Sequence, residues 1–81
     1  MRKLVTMAEL SELLTMELQS IEDAEGSIIS VSYLYREPDS AGCNWSDSVT
    51  VNSGPKASAD YLAPYVAEIV ARARQRYNIK T

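Results

Sequence analysis

Apolar residues recur at helical spacing from Met7 to Ile21, at every second position through much of Ser27 to Asn52, and at helical spacing again from Leu62 to Tyr77. This double change of period constrains the fold more than any other feature. A stripe repeating at about 100° per residue buries one side of a helix, whereas strict alternation buries one face of a strand. The first segment opens with Thr6-Met7-Ala8-Glu9, a hydroxyl and a carboxylate spaced as in a capping box, with Val5 and Leu10 placed as a hydrophobic staple. Met7, Leu10, Leu13, Leu14, Leu18 and Ile21 share one arc. A first helix is therefore predicted from about Met7 to Ile21, ending before Gly26.

From Ser27 to Arg36 the pattern is that of a strand, with Ile29, Val31, Tyr33 and Tyr35 on one face and Ser30, Ser32 and Arg36 on the other, Leu34 being the exception. Pro38-Asp39-Ser40-Ala41-Gly42 carries turn chemistry. A second alternation follows, with Cys43, Trp45, Val49 and Val51 opposed to Asn44, Ser46, Ser48, Thr50 and Asn52. Two such runs joined by a short loop predict an antiparallel hairpin. Asn52-Ser53-Gly54-Pro55 ends it, and a second helix begins at Ser58 or Asp60. Pro64 is tolerated best in a first turn, which favours Asp60 as the cap. Leu62, Tyr65, Val66, Ile69, Val70, Ala73 and Tyr77 cover one side of that helix. The expected architecture is a single α+β domain over residues 1–81, a small two-layer αββα arrangement with two helices on one face of an antiparallel β-hairpin.

That order of elements resembles the double-stranded-RNA-binding domain, two helices against one face of a three-stranded sheet. Here the middle supplies two strands, with a short third at Lys3-Leu4-Val5 as the alternative. The stretch entering the second helix reads Lys56-Ala57-Ser58-Ala59-Asp60, without that family's lysine cluster, so its function is not carried over.

Composition excludes several chemistries. With no histidine, there is no Ser-His-Asp triad, no Cys-His pair and no imidazole base near neutral pH. One cysteine and no histidine leave no structural zinc site within one chain, and the single Cys43 has no intrachain disulfide partner. No D-x-D-x-D-G loop is present, so no metal and no cofactor is implied. A net charge of −3 gives no general attraction to nucleic acid or anionic membrane. Nothing approaches the ~20 apolar residues of a membrane span, and Met1-Arg2-Lys3-Leu4-Val5-Thr6 lacks a signal peptide's apolar stretch. The expected location is cytoplasmic, and Asn44-Trp45-Ser46 is read as a chance match to the glycosylation pattern.

Several positions merit attention. Cys43 and Trp45 lie two apart on the inner face, as core or as the wall of a ligand pocket at the hairpin end. Glu17 falls within helix 1's apolar arc and Asp47 shares parity with Cys43 and Trp45; either both reach solvent, Asp47 through a bulge, or one is satisfied by a tyrosine hydroxyl or a helix 2 arginine. Arg72, Arg74 and Arg76, with Lys80, form the one basic cluster, where they complement the helix dipole. Arg72 and Glu68 are also spaced as an i,i+4 pair. Ser53-Gly54-Pro55-Lys56 serves as a connector or, as an alternative, cradles an anion. Ala63, Ala67 and Ala71 make a small-residue stripe. The expected function is a non-enzymatic protein-interaction module that self-associates as a homodimer, by hairpin edge pairing or by the open sheet face. The alternatives are a small-molecule-binding or accessory enzymatic subunit with a pocket near Trp45, and a nucleic-acid-binding accessory protein. No specific nucleic acid and no membrane partner are expected.

Overall fold

Thr6 caps the first helix as its spacing requires. Its hydroxyl accepts the Glu9 N–H at 3.1 Å while the Glu9 carboxylate accepts the Thr6 N–H at 3.0 Å. In the computed structural model, which describes residues 2–80, the chain runs β1 Lys3–Val5, α1 Met7–Gln19, β2 Ile28–Ser30, β3 Thr50–Asn52, α2 Ala59–Arg76 and β4 Tyr77–Ile79. It is a small α+β fold with two helices and two small sheets. Met1 and Thr81, which the single-domain and signal-peptide readings touch, lie outside the described residues.

The two sheets correct the αββα expectation. β2 and β3 pair antiparallel, with Ile29 opposite Val51. β1 and β4, drawn from the two ends of the described chain, pair parallel, with Leu4 opposite Asn78. β4 escapes notice in the sequence because Tyr77 and Ile79 continue the apolar spacing of the helix before it, and three residues are too few to show a period of their own. The predicted long strands are also cut short. Beyond Ser30↔Thr50 the hairpin is held by a single bridge, Leu34↔Trp45. Positions 31–33 there face positions 46–49, so the second strand carries one extra residue. At that bulge the Ser48 N–H donates to the Ser46 hydroxyl (3.0 Å) and the Val49 N–H to the Asp47 carbonyl (2.9 Å). The slip breaks the alternation. Ile29 and Val31 are buried, whereas Tyr33 is 63% exposed.

Helix 2 starts at Ser58, not Asp60. The Ser58 hydroxyl accepts the Tyr61 N–H at 3.1 Å, and Pro64 sits inside the helix rather than in its first turn. Proline there removes one i→i−4 bond, a loss the helix carries because Leu62, Ile69, Val70 and Ala73 bury its other side. These pack with Leu10, Leu14 and Leu18 of α1, with Ile29 and Val31, and with Trp45 and Ile79. Each fully buried leucine contributes about 1.5–3 kcal/mol relative to exposure. The buried line of α1 is Leu10–Leu14–Leu18, so Leu13 and Glu17 stand at its margin and Met16 is exposed.

α1 runs along the edge strand of the hairpin. α1 packs along β2 and against α2, and α2 packs on α1 and β4. The contact between α1 and β2 is polar as well as apolar. The Thr15 hydroxyl accepts the Ile29 N–H (3.0 Å) and donates to the Ile29 carbonyl (3.2 Å). Ser11 accepts the Val31 N–H (3.0 Å), and the Gln19 amide donates to the Ser27 carbonyl (2.9 Å). Ser11, Thr15 and Gln19, one helical turn apart, thus occupy the edge of β2 that a third strand would otherwise take. At the far end of β2 the buried Ser27 hydroxyl accepts the Gly54 N–H (2.9 Å), and the two loops approach so closely that a Cβ on Gly54 would fall on the Glu25 carbonyl.

Thr15→Val preserves shape while leaving both Ile29 backbone groups without a partner. Denaturant unfolding should show a loss of about 1–3 kcal/mol for this variant, whereas Thr15→Ser, which keeps the hydroxyl, should lose clearly less.

Candidate functional site

The turn predicted at Pro38–Gly42 becomes a loop tied to the C-terminal end of α2 and to β4. Asp39 is its centre. One carboxylate oxygen accepts the N–H groups of Ala41 (2.9 Å) and Cys43 (3.1 Å), and the other meets the Arg74 Nη2 at 2.6 Å. The Cys43 amide, foremost, with the Arg74 guanidinium and the Ala41 amide, holds the Asp39 carboxyl below its ordinary range despite some burial. Burial opposes the charge on Arg74, but the hydrogen bond to Asp39 and the nearby negative groups outweigh it and raise the guanidinium pKa. Arg74 Nε also donates to the Trp45 carbonyl (3.1 Å), and the guanidinium carbon lies 6.0 Å from the indole centroid.

The loop then covers the outer edge of β4 with side chains. Asn44 accepts the Ile79 N–H and donates to the Ile79 carbonyl, both at 2.8 Å, as a neighbouring strand would. The Trp45 indole donates to the Tyr77 carbonyl at 3.0 Å. Asn78 reaches the other way, accepting the Asn44 N–H (3.2 Å) and donating to the Gly42 carbonyl (3.0 Å). None of this was visible in the sequence beyond the unusual density of Asn and Asp around Trp45.

Between this loop and the outer flank of α2 lies a cleft of about 410 Å³. Val66 and Val70 with Ala67 and Ala71 form one wall, and Cys43, Asp47 and Ala41 the other. Arg2, Arg74 and Gln75 close one end. The structure therefore brings Cys43 and Asp47 to one cleft and adds Arg2 and Gln75, which sequence reasoning missed. Trp45 is no part of it. The indole is fully buried, as the core alternative expects. The Cys43 thiol is also buried and points at the Trp45 carbonyl at 3.6 Å, a packed side chain rather than an exposed nucleophile. Ala67 and Ala71, two of the three alanines in the stripe, line the cleft, and Ala63 does not.

The remaining candidates are dispersed. Glu17 stands at the rim, 2.7 Å from Arg72, which also meets Glu68 at 2.9 Å. Asp47 is exposed beside the bulge. The three arginines form no single basic face: Arg72 is held by two glutamates and Arg74 by Asp39, while Arg76 has no ion pair among the described residues. The Gly54 amide in the Ser53–Lys56 connector is committed to Ser27. No group of three potential metal ligands occurs among the described residues, and no described helix is long and apolar enough to cross a membrane.

A second surface was not singled out by the sequence. Leu4, 57% exposed on β1, shares a shallow groove with Leu13 and Met16 of α1, Met16 being 68% exposed. Lys3 and Lys80 lie on its rim with Glu9 and Glu12. The Lys80 N–H donates to the Val5 carbonyl at 2.8 Å, so Val5 directs its backbone groups at β4 and, by strand alternation, Leu4 directs its own outward. Comparison with protein-family models, with curated proteins and with solved structures gives no match.

Two outcomes test the loop network. Asn44→Leu removes both partners of the Ile79 backbone at similar volume and should cost about 1–3 kcal/mol in denaturant unfolding. Because the folded-state pKa of Asp39 lies below its unfolded value, its contribution is present above the ordinary carboxylate range and is lost as pH falls through the folded value. Thermal melts of Asp39→Asn should therefore show a lower midpoint at pH 7 and a smaller further loss than wild type below about pH 4. Glu9, lowered by its hydrogen bonds to Thr6, titrates in the same window in both proteins and cancels in that comparison.

Proposed function

We propose that this chain is a non-enzymatic protein-interaction module that self-associates about a two-fold axis at β1. The observation that carries the reading is the coincidence, on one face, of an outward-directed strand edge at Leu4 with the exposed side chains of Leu4, Leu13 and Met16. Apolar side chains grouped around an uncovered strand edge are what an interface exploits and what a solitary domain ordinarily blunts. The β2 edge is occupied by Ser11, Thr15 and Gln19 and the β4 edge by Asn44 and Trp45, whereas β1 joins its outward edge to exposed apolar side chains. In an antiparallel β1–β1 contact the Leu4 backbones of two copies face each other and the apolar side chains meet. Lys3, Lys80, Glu9 and Glu12 surround the apolar side chains. The reading assigns no role to nucleic acid, and a cytoplasmic setting agrees with an unpaired buried thiol.

Sedimentation equilibrium should give a mass near twice the 9.0 kDa of the chain at high micromolar concentration. Leu4→Glu, at an already exposed position, should return it to 9.0 kDa with an unchanged far-UV circular dichroism spectrum. A wild-type mass of 9.0 kDa up to millimolar concentration overturns the proposal.

A further inference from the structure

We infer that the cleft between α2 and the Asp39–Asp47 loop is a binding site for a small aliphatic monocarboxylate, with Arg2 as the carboxylate-recognising group. Arg2 is half-buried, and its Nε is fixed by donation to the Arg74 carbonyl at 2.8 Å. Among the described residues no carboxylate lies within ion-pair distance of it, and no hydrogen bond occupies its two terminal nitrogens. A guanidinium anchored through Nε keeps a planar pair of N–H donors free, the geometry that matches a carboxylate bidentately. Gly42, at φ +88°, makes room for this pose: a Cβ there would stand 3.0 Å from Arg2 Nη1.

The rest of the cleft decides the ligand class. Its volume, about 410 Å³, falls in the range of small-molecule sites, and Val66, Val70, Ala67 and Ala71 offer an aliphatic wall. The charge of Arg74 is already answered by Asp39 at 2.6 Å, and Asp47 adds a negative charge to the cleft. One unanswered guanidinium beside an acid suits a singly charged anion and disfavours a doubly charged phosphate. No residue of the proposed dimer face, Leu4, Leu13 or Met16, takes part, so the two readings stand or fall separately.

The test is an NMR titration of the ¹⁵N-labelled full chain with 3-methylbutanoate at fixed ionic strength, set against 3-methylbutan-1-ol and inorganic phosphate. The acid should produce saturable shifts at the Gly42, Cys43, Ala71 and Gln75 amides with a millimolar dissociation constant, and the alcohol and phosphate should not. Arg2→Gln should weaken binding at least tenfold. Ala71→Leu, which leaves Arg2 in place and fills the aliphatic wall at an exposed helical position, should abolish it with the melting midpoint retained. Absence of saturable shifts overturns the inference. So do equal shifts with the alcohol, equal shifts with phosphate, or undiminished binding by a folded Ala71→Leu protein.

Discussion

A three-residue strand has little with which to hold itself in place, and this fold contains four of them in two separate pairs. Each pair has two outer edges, and every edge backbone group facing the interior must find a partner or carry a desolvation cost. Side chains meet that requirement. Ser11, Thr15 and Gln19 of α1 bind the β2 edge, and Asn44 and Trp45 bind the β4 edge. Much else depends on these two seams. The first fixes the rotation of α1 about its axis and so decides that Leu10, Leu14 and Leu18 face inward while Leu13 and Met16 face out. The second joins the middle of the chain to its C-terminal strand.

The Asp39–Arg74 pair belongs to the second seam and shows why it is rigid. Both charges have partners beyond each other: Asp39 takes two loop amides, and Arg74 takes the Trp45 carbonyl. A pair tied in this way orders the loop as well as neutralising charge, unlike the more exposed Arg72–Glu68 contact along α2. Arg2 extends the network by gripping the Arg74 carbonyl, which links the start of the described chain to the same helix end. The cleft is a by-product of that construction. The loop is held against the end of α2 but stands away from the flank occupied by Ala67 and Ala71, because side chains that small cannot fill the space.

Where side chains cover the edges, the surface is polar and settled. At β1, where no side chain among the described residues covers the edge, the outward backbone of Leu4 coincides with exposed apolar side chains. The cleft differs from that face in being framed by charge rather than by a strand edge.

What the sequence by itself determined was local. The capping box at Thr6 and Glu9, the position of α1, the turn at Pro38–Gly42 and the apolar side of α2 follow from contacts within a few residues, and the local code for these is strong. The absence of histidine likewise bounded the chemistry without any structure. Tertiary structure decided what required distant partners. Ser58 caps α2 in place of Asp60 because burial of Leu62 and its neighbours lets the helix run through Pro64. The strands are short because the bulge at Ser46–Val49 cancels the alternation that Tyr33 and Asp47 had suggested. β1 and β4 exist only because the two ends of the described chain meet, and neither carries a periodic signal in three residues. Ser11, Thr15 and Gln19 read in isolation as a neutral polar flank, and Asn44 as an ordinary strand residue. Their roles are set by backbone groups 8 to 35 positions away, to which hydrophobic periodicity is blind.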